Sequence, residues 1–181
     1  MATDGEDKTA TGESAFQAGS EYVSLGSDKV DEPTAREQHS YTSEELRQGV
    51  ELGSDETTKV DVARNSRHAV RGIEIANGIR VSGQHVAEVY IGTERDHATV
   101  SIVNSVDNGV IAVISSSGMK VPLPFGLIPG KMRALGREQE GQADLPPAVS
   151  RNHCAIGIDD DGKLVISNHE PANNTFIRKL G

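Results

Sequence analysis

Short β-branched segments broken by turn residues, beginning near Val70, constrain this chain most. Gly72-Ile73-Glu74-Ile75 alternates, Ala76-Asn77-Gly78 turns, and Ile79-Arg80-Val81 alternates again. His97 to Val103 and Val110 to Ile114 flank Asp107-Asn108-Gly109, whose Asn-Gly pair supplies the positive φ of a tight hairpin. Ala155 to Ile158 and Lys163 to Ile166 flank Asp159-Asp160-Asp161-Gly162 in the same way. Pro122, Pro124, Pro129, Pro146 and Pro147 argue against helices in the remaining loops. No stretch after residue 66 keeps a 3.6-residue period with clean caps. The reading is an all-β fold, an antiparallel β-sandwich or barrel.

The first third is different. Residues 1–65 carry 15 acidic and 6 basic side chains, whereas residues 66–181 carry 12 of each, so the net charge of −9 lies entirely at the front. The same segment has no Ile and only nine Leu, Val or Phe, against 32 Ile, Leu, Val or Phe in the rest. Such a segment buries too little apolar surface to offset chain entropy, and a mostly disordered acidic tail is expected over residues 1–65. Within it, Thr42-Ser43-Glu44-Glu45-Leu46-Arg47 is a short helix candidate capped by Thr42 or Ser43. Gly49 interrupts it, and it is too short to stand alone. Residues 66–97 read as a linker or additional strands, and residues 98–181 as the sandwich.

Several function classes lose ground on composition. The acidic balance disfavours nucleic acid as a partner, and three Tyr, three Phe and no Trp offer few stacking surfaces. Cys154 is the sole cysteine, so no intramolecular disulfide or Cys-based metal site is expected, and it reads as a small core residue. No apolar run reaches the roughly 18 residues of a membrane span, and no signal pattern opens the chain. A cytoplasmic protein without cofactor, metal or membrane partner is expected. Asp159-Asp160-Asp161-Gly162 lacks the alternating ligands of a calcium loop and reads as a solvated turn. His153 and Cys154 are adjacent on a strand and face opposite sides, which disfavours a nucleophile–base pair. No acid–base or metal set is visible, so the chain reads as a non-enzyme.

The informative polar residues fall in three loops of the last third. These are Gly136-Arg137, then Val149-Ser150-Arg151-Asn152-His153, then Glu170-Pro171-Ala172-Asn173-Asn174-Thr175, with strand-like pieces between them. In a sandwich, alternate loops gather at one end. Two guanidinium groups, a hydroxyl and an amide gathered there suit a phosphate, because the Arg fork matches its oxygens and Ser and Asn fix its orientation.

Gly136-Arg137, Ser150-Arg151-Asn152-His153 and Asn173-Asn174-Thr175, in that order, resemble the signature of the forkhead-associated (FHA) domain, a phosphothreonine-peptide reader. Its pattern is Gly-Arg, then Ser-x-x-His, then Asn-Gly-Thr, and the resemblance covers roughly Val110 to Ile177. It implies that Arg137 and Ser150 bind the phosphate. Arg151 would contact the phosphate or the peptide backbone, and Asn173 would hold the ligand backbone. It implies structural roles for Gly136, His153, Asn174 and Thr175. The partners implied are phosphothreonine-containing proteins and a Ser/Thr kinase, with the chain as a signalling adaptor. The alternatives are a degenerate β-sandwich scaffold or oligomerisation module without phosphate binding, and a small enzyme of unrecognised site.

Two departures stand out. Asn174 replaces the family's Gly, and Asn tolerates positive φ best among the other residues. The family also continues for about two more strand pairs after the Asn-Gly-Thr turn, whereas this sequence stops at Gly181, so C-terminal strands are expected to be missing, with the chain either a fragment or completed by other segments. Ile79 to Gly92 resembles the family's closing strands moved to the front; extra N-terminal strands or a partner chain are the other ways to fill the gap. Thr57 and Thr58, in an acidic stretch with Asp61 three residues beyond Thr58, are candidate phosphoacceptors through which the tail regulates its own domain.

Overall fold

The computed structural model describes residues 22–24, 37–62, 72–76, 79–105, 107–169 and 172–180. The elements run β1 (Tyr22–Ser24), β2 (Glu37–His39), α1 (Ser43–Gln48), β3 (Val50–Leu52), β4 (Glu56–Val60), β5 (Gly72–Ala76), β6 (Ile79–Gly92) and β7 (His97–Ser105). They continue with β8 (Gly109–Ser116), β9 (Leu123–Gly126), β10 (Lys131–Leu135), β11 (Cys154–Ile158), β12 (Leu164–Asn168) and β13 (Asn174–Lys179). One sheet has the order β1-β10-β11-β12-β4-β2; the other has the order β3-β13-β6-β7-β8-β9. All these pairings are antiparallel except β2 with β4, and β5 pairs with the first part of β6 beside the second sheet. This is the expected all-β sandwich.

The expected hairpins form where sequence placed them. Gly109 takes φ +68° between β7 and β8, and Gly162 takes φ +78° between β11 and β12. Alternation then sorts the strands. On β6, Val89 and Ile91 point inward and are fully buried, while Glu88 and Tyr90 lie on the opposite face. Ile91, Ile102, Ile114 and Ile177 from the second sheet meet Leu135, Ile156, Leu164 and Ile166 from the first in one core cluster. The outer side of the first sheet adds a small patch of Met132, Ala155 and Val165.

The front of the chain departs from expectation. Residues 37–62 belong to the sandwich rather than to a disordered tail. Thr42 caps α1 in a capping box with Glu45, Gly49 ends the helix at φ +96°, and Leu46 is buried in the core cluster. β3 pairs with β13 from Thr175↔Leu52 to Ile177↔Val50, and β4 pairs with β12 from Leu164↔Val60 to Ser167↔Thr57. The burial that composition denied this segment comes from partners more than a hundred residues away. Residues 1–21, 25–36 and 63–71 of the expected tail and linker lie outside the described residues.

The same pairings decide between the two readings of residues 66–97, in favour of additional strands over 79–92, carry the sandwich back past residue 98, and fill the place of the missing strands with N-terminal ones, one of the expected ways. β6 is an inner strand of the second sheet, flanked by β13 and β7, so residues 79–92 are not a linker. β13 has β3 and β6 on its two sides, and β12 has β11 and β4. Three strands that precede the Gly136-Arg137 loop in sequence, β3, β4 and β6, therefore supply neighbours to β13 and β12.

Candidate functional site

The three polar loops meet at one end of the sandwich. Arg137 follows β10, and its Nε donates to the Val149 carbonyl at 2.6 Å. The Arg137 and Glu138 backbone amides donate to the Ser150 and Arg151 carbonyls, both at 3.1 Å, which lays the first loop along the second. The Ser150 Oγ accepts from the Ala172 amide at 3.0 Å, and Asn173 Nδ2 donates to the Ala148 carbonyl at 2.6 Å. Arg137, Ser150 and Asn173 thus all attach to the stretch from Ala148 to Ser150 or project from it. Among the described residues no carboxylate pairs with Arg137. The Ser150 hydroxyl accepts in this contact and keeps its own proton for donation, and the Asn173 amide keeps a second N–H. Arg151 is exposed, with its Nε 3.5 Å from the Glu138 carboxylate, a surface pair that costs little to separate.

The bracing residues explain why the loops hold this arrangement. Gly136 has φ +155°, and a Cβ there would stand 2.2 Å from the Arg151 carbonyl oxygen, so only glycine lets the two loops lie this close. His153 is fully buried. Its Nδ1 accepts from the Ser150 amide at 3.1 Å, which leaves the ring proton on Nε2, and Nε2 donates to the Asn174 carbonyl at 3.2 Å. Burial pushes the His153 pKa down, with the Asn174 contact acting the other way. One neutral imidazole therefore joins the second loop to the third. Thr175 is buried and donates to Asn168 Oδ1 at 2.6 Å. Asn174 opens β13 opposite Gly92, in the strand ladder rather than in the turn expected for a residue replacing Gly.

Two contributors carry no sequence signal. Gln142 is fully buried; its Oε1 accepts from the Gly136 amide at 3.0 Å and its Nε2 donates to the Ala134 carbonyl at 3.3 Å. Asn168 passes the Thr175 contact onward, with its Nδ2 donating to the Gly53 carbonyl at 2.8 Å. That chain of bonds ties β13 and β12 to the turn between β3 and β4. A lone amide has no periodicity or spacing to announce it.

The candidate phosphoacceptors are corrected. Thr58 is fully buried in β4 opposite Ile166, and Thr57 Oγ1 donates to Ser167 Oγ at 3.0 Å. A kinase needs an extended, accessible segment, and these two residues are an inner strand of the first sheet. Cys154 is buried in the core, and burial pushes its thiol up to about 12, the state of an inert packing residue. Asp159 is a turn residue whose Oδ1 accepts from the Asp161 and Lys163 amides. Among the described residues no group of three His, Cys, Asp or Glu gathers to hold a metal ion, and no helix is long and apolar enough to cross a membrane.

Chemically the rim offers one guanidinium free of carboxylate partners, a hydroxyl donor and a spare amide N–H within one cluster of loops, with a second guanidinium exposed beside them. That set suits a tetrahedral dianion held at the end of an extended ligand. Comparison with protein-family models, with curated proteins and with solved structures finds no match.

Proposed function

We propose that the chain is a phosphothreonine-peptide binding module of the FHA type, a non-catalytic cytoplasmic adaptor that binds proteins phosphorylated by a Ser/Thr kinase. The observation that carries this reading is the attachment of Arg137, Ser150 and Asn173 to one short stretch of backbone, from Ala148 to Ser150, at one rim of the sandwich. Residues in three sequence-distant loops present complementary donors at one place. A second support is topological. The resemblance calls for two more strand pairs beyond Thr175, and β3, β4, β6 and β7 stand as neighbours of β13, β12 and one another. The chain then reads as that sandwich with its closing strands placed ahead of its opening ones.

The test is binding of a degenerate phosphothreonine peptide library to the intact chain, with the dephosphorylated library as control. Arg137→Ala is expected to weaken phosphopeptide binding by at least about tenfold, the scale of losing hydrogen bonds to a charged group. Equal binding of both libraries overturns the reading. The same contacts favour a second reading, a scaffold without phosphate binding, because Arg137, Ser150 and Asn173 also brace the loops. That reading predicts no phosphate-dependent binding and a loss of stability in Arg137→Ala.

A further inference from the structure

Beside the proposed phosphate rim, the outer face of the second sheet carries a groove of about 650 Å³. Cross-strand register builds its floor. Phe176 pairs with Tyr90 on one side and with Glu51 on the other, so these three side chains share the outward face. Gly92, opposite Asn174 and His97, has no side chain and leaves the end of the row open. The rings form a connected aromatic wall: Tyr90 and Phe176 lie 5.9 Å apart, and Tyr90 and His97 5.5 Å apart in an edge-on contact. Phe176 is held in place because it lies over Gly49, where a Cβ would fall 2.0 Å from the ring.

The charges on the groove are unequal. Arg178 donates to the Glu88 carboxylate at 2.6 Å, and the Tyr90 hydroxyl also donates to that carboxylate, so the Arg178 charge is already matched. Glu51 and Glu94 line the groove, are exposed, and pair with no cation among the described residues. Arg95 shares the turn with Glu94 but does not line the groove. Arg178 itself shows what the wall accepts, since its guanidinium carbon lies over the Tyr90 ring at 5.9 Å from the centroid. An aromatic floor with two unmatched carboxylates attracts a cationic side chain through ring quadrupole and charge together.

The groove is continuous with the rim. Ala172 and Asn173 line it, and the Ala172 amide donates to Ser150 Oγ. Phe176 lies two residues beyond Asn174 on β13, roughly 7 Å by strand rise. A ligand side chain two or three positions from a residue held at the rim reaches it.

We propose that this groove takes an arginine or lysine side chain of the bound peptide, so that the ligand is a phosphothreonine flanked at two or three residues by a basic residue. The partner class rests on the reading of the rim as a phosphothreonine site; the groove's affinity for a cation does not. The rim thus holds the anionic end of such a ligand, and the groove the cationic end.

The experiment has two arms. In the first, fluorescence anisotropy compares phosphothreonine peptides that carry Arg, Ala or Glu two and three residues from the phosphothreonine on either side. The Arg peptide is expected to bind roughly three- to tenfold tighter than the Ala peptide, and the Glu peptide more weakly than both. In the Glu51→Gln, Glu94→Gln double variant, whose substitutions are both on the surface, the preference collapses while the Ala peptide binds as before. In the second arm, arginine methyl ester is titrated into the intact chain without phosphate and backbone amide shifts are followed by NMR. Shifts at Gly92, Thr93 and Ala172 that vanish in the double variant support a cation groove, even if no peptide binds in a phosphate-dependent way. That last outcome overturns the reading of the rim alone. Phosphate-dependent binding without charge preference, or a preference that persists in the double variant, overturns the groove proposal and leaves the rim standing.

Discussion

Gly136 shows how narrowly the loop arrangement is specified. Its neighbours at the site of a new methyl are backbone atoms of Ser150 and Arg151, which cannot swing aside as a side chain would. Gly136→Ala is therefore expected to cost at least about 2 kcal/mol of stability, read as a lower urea midpoint, and to weaken phosphopeptide binding as well. His153 supplies the pH dependence. Its pKa in the folded chain is lowered, so below the unfolded value of about 6.5 the unfolded chain binds more protons than the folded one. The stabilisation is complete above that pH and is lost as pH falls through the lowered folded value. His85 is shifted in the same direction by burial and must be separated. The thermal midpoint of the His85→Gln variant is expected to fall between pH 7.5 and pH 5. A His85→Gln, His153→Gln double variant is expected to show a shallower slope over that range. Equal slopes would refute the role given to His153. Arg137, Ser150 and Asn173, the residues proposed to face a ligand, were legible because Arg, Ser and Asn come in short ordered motifs. Gln142 and Asn168 were not, because their work is to satisfy backbone groups that exist only after the loops have met.

At the scale of elements, legibility follows sequence separation. The hairpins β5–β6, β7–β8 and β11–β12 could be read because both strands and the intervening turn residues are contiguous. β3 and β4 could not. Val50-Glu51-Leu52 and Glu56 to Val60 are short, and five of their eight side chains are polar or charged. Their stability is tertiary: Thr57 meets Ser167, and the turn between them is fastened by Asn168. The short helix α1 followed the same rule in reverse, since its cap residues could be read while its docking through Leu46 could not. β4 also carries an imperfection. The Thr58 Oγ1 is buried with no hydrogen-bond partner among the described residues. Thr58→Val replaces that hydroxyl with a methyl of similar shape and is expected to stabilise the sandwich by about 1 kcal/mol in a denaturant titration. A kinase reaction on the folded chain should leave residue 58 unmodified, as mass spectrometry of the tryptic peptide would report.

For the whole molecule, the two sheets cannot be cut at the point where composition changes. A fragment of residues 63–181 keeps most of the apolar residues and all of the proposed phosphate-binding groups. It also leaves β12 and β13 each with a bare edge and removes Leu46, Leu52 and Val60 from the core cluster. This fragment is expected to aggregate or to lose dispersed amide resonances in NMR, whereas a tail-and-domain architecture would leave it folded and able to bind. Adding residues 37–62 back as a separate peptide is expected to restore at least part of the dispersion by strand addition.

The register of Val50 with Ile177 has a further consequence for how such a chain comes to life. During synthesis β3 and β4 emerge more than a hundred residues before β12 and β13, the strands that will cover them. The early pieces must wait, unzipped and acidic, until those later strands follow. Closure across so long a loop is slow compared with local hairpin formation. The low apolar content of the waiting segment becomes an advantage in this light, because it keeps a nascent half-sandwich from sticking to its neighbours before its partners arrive.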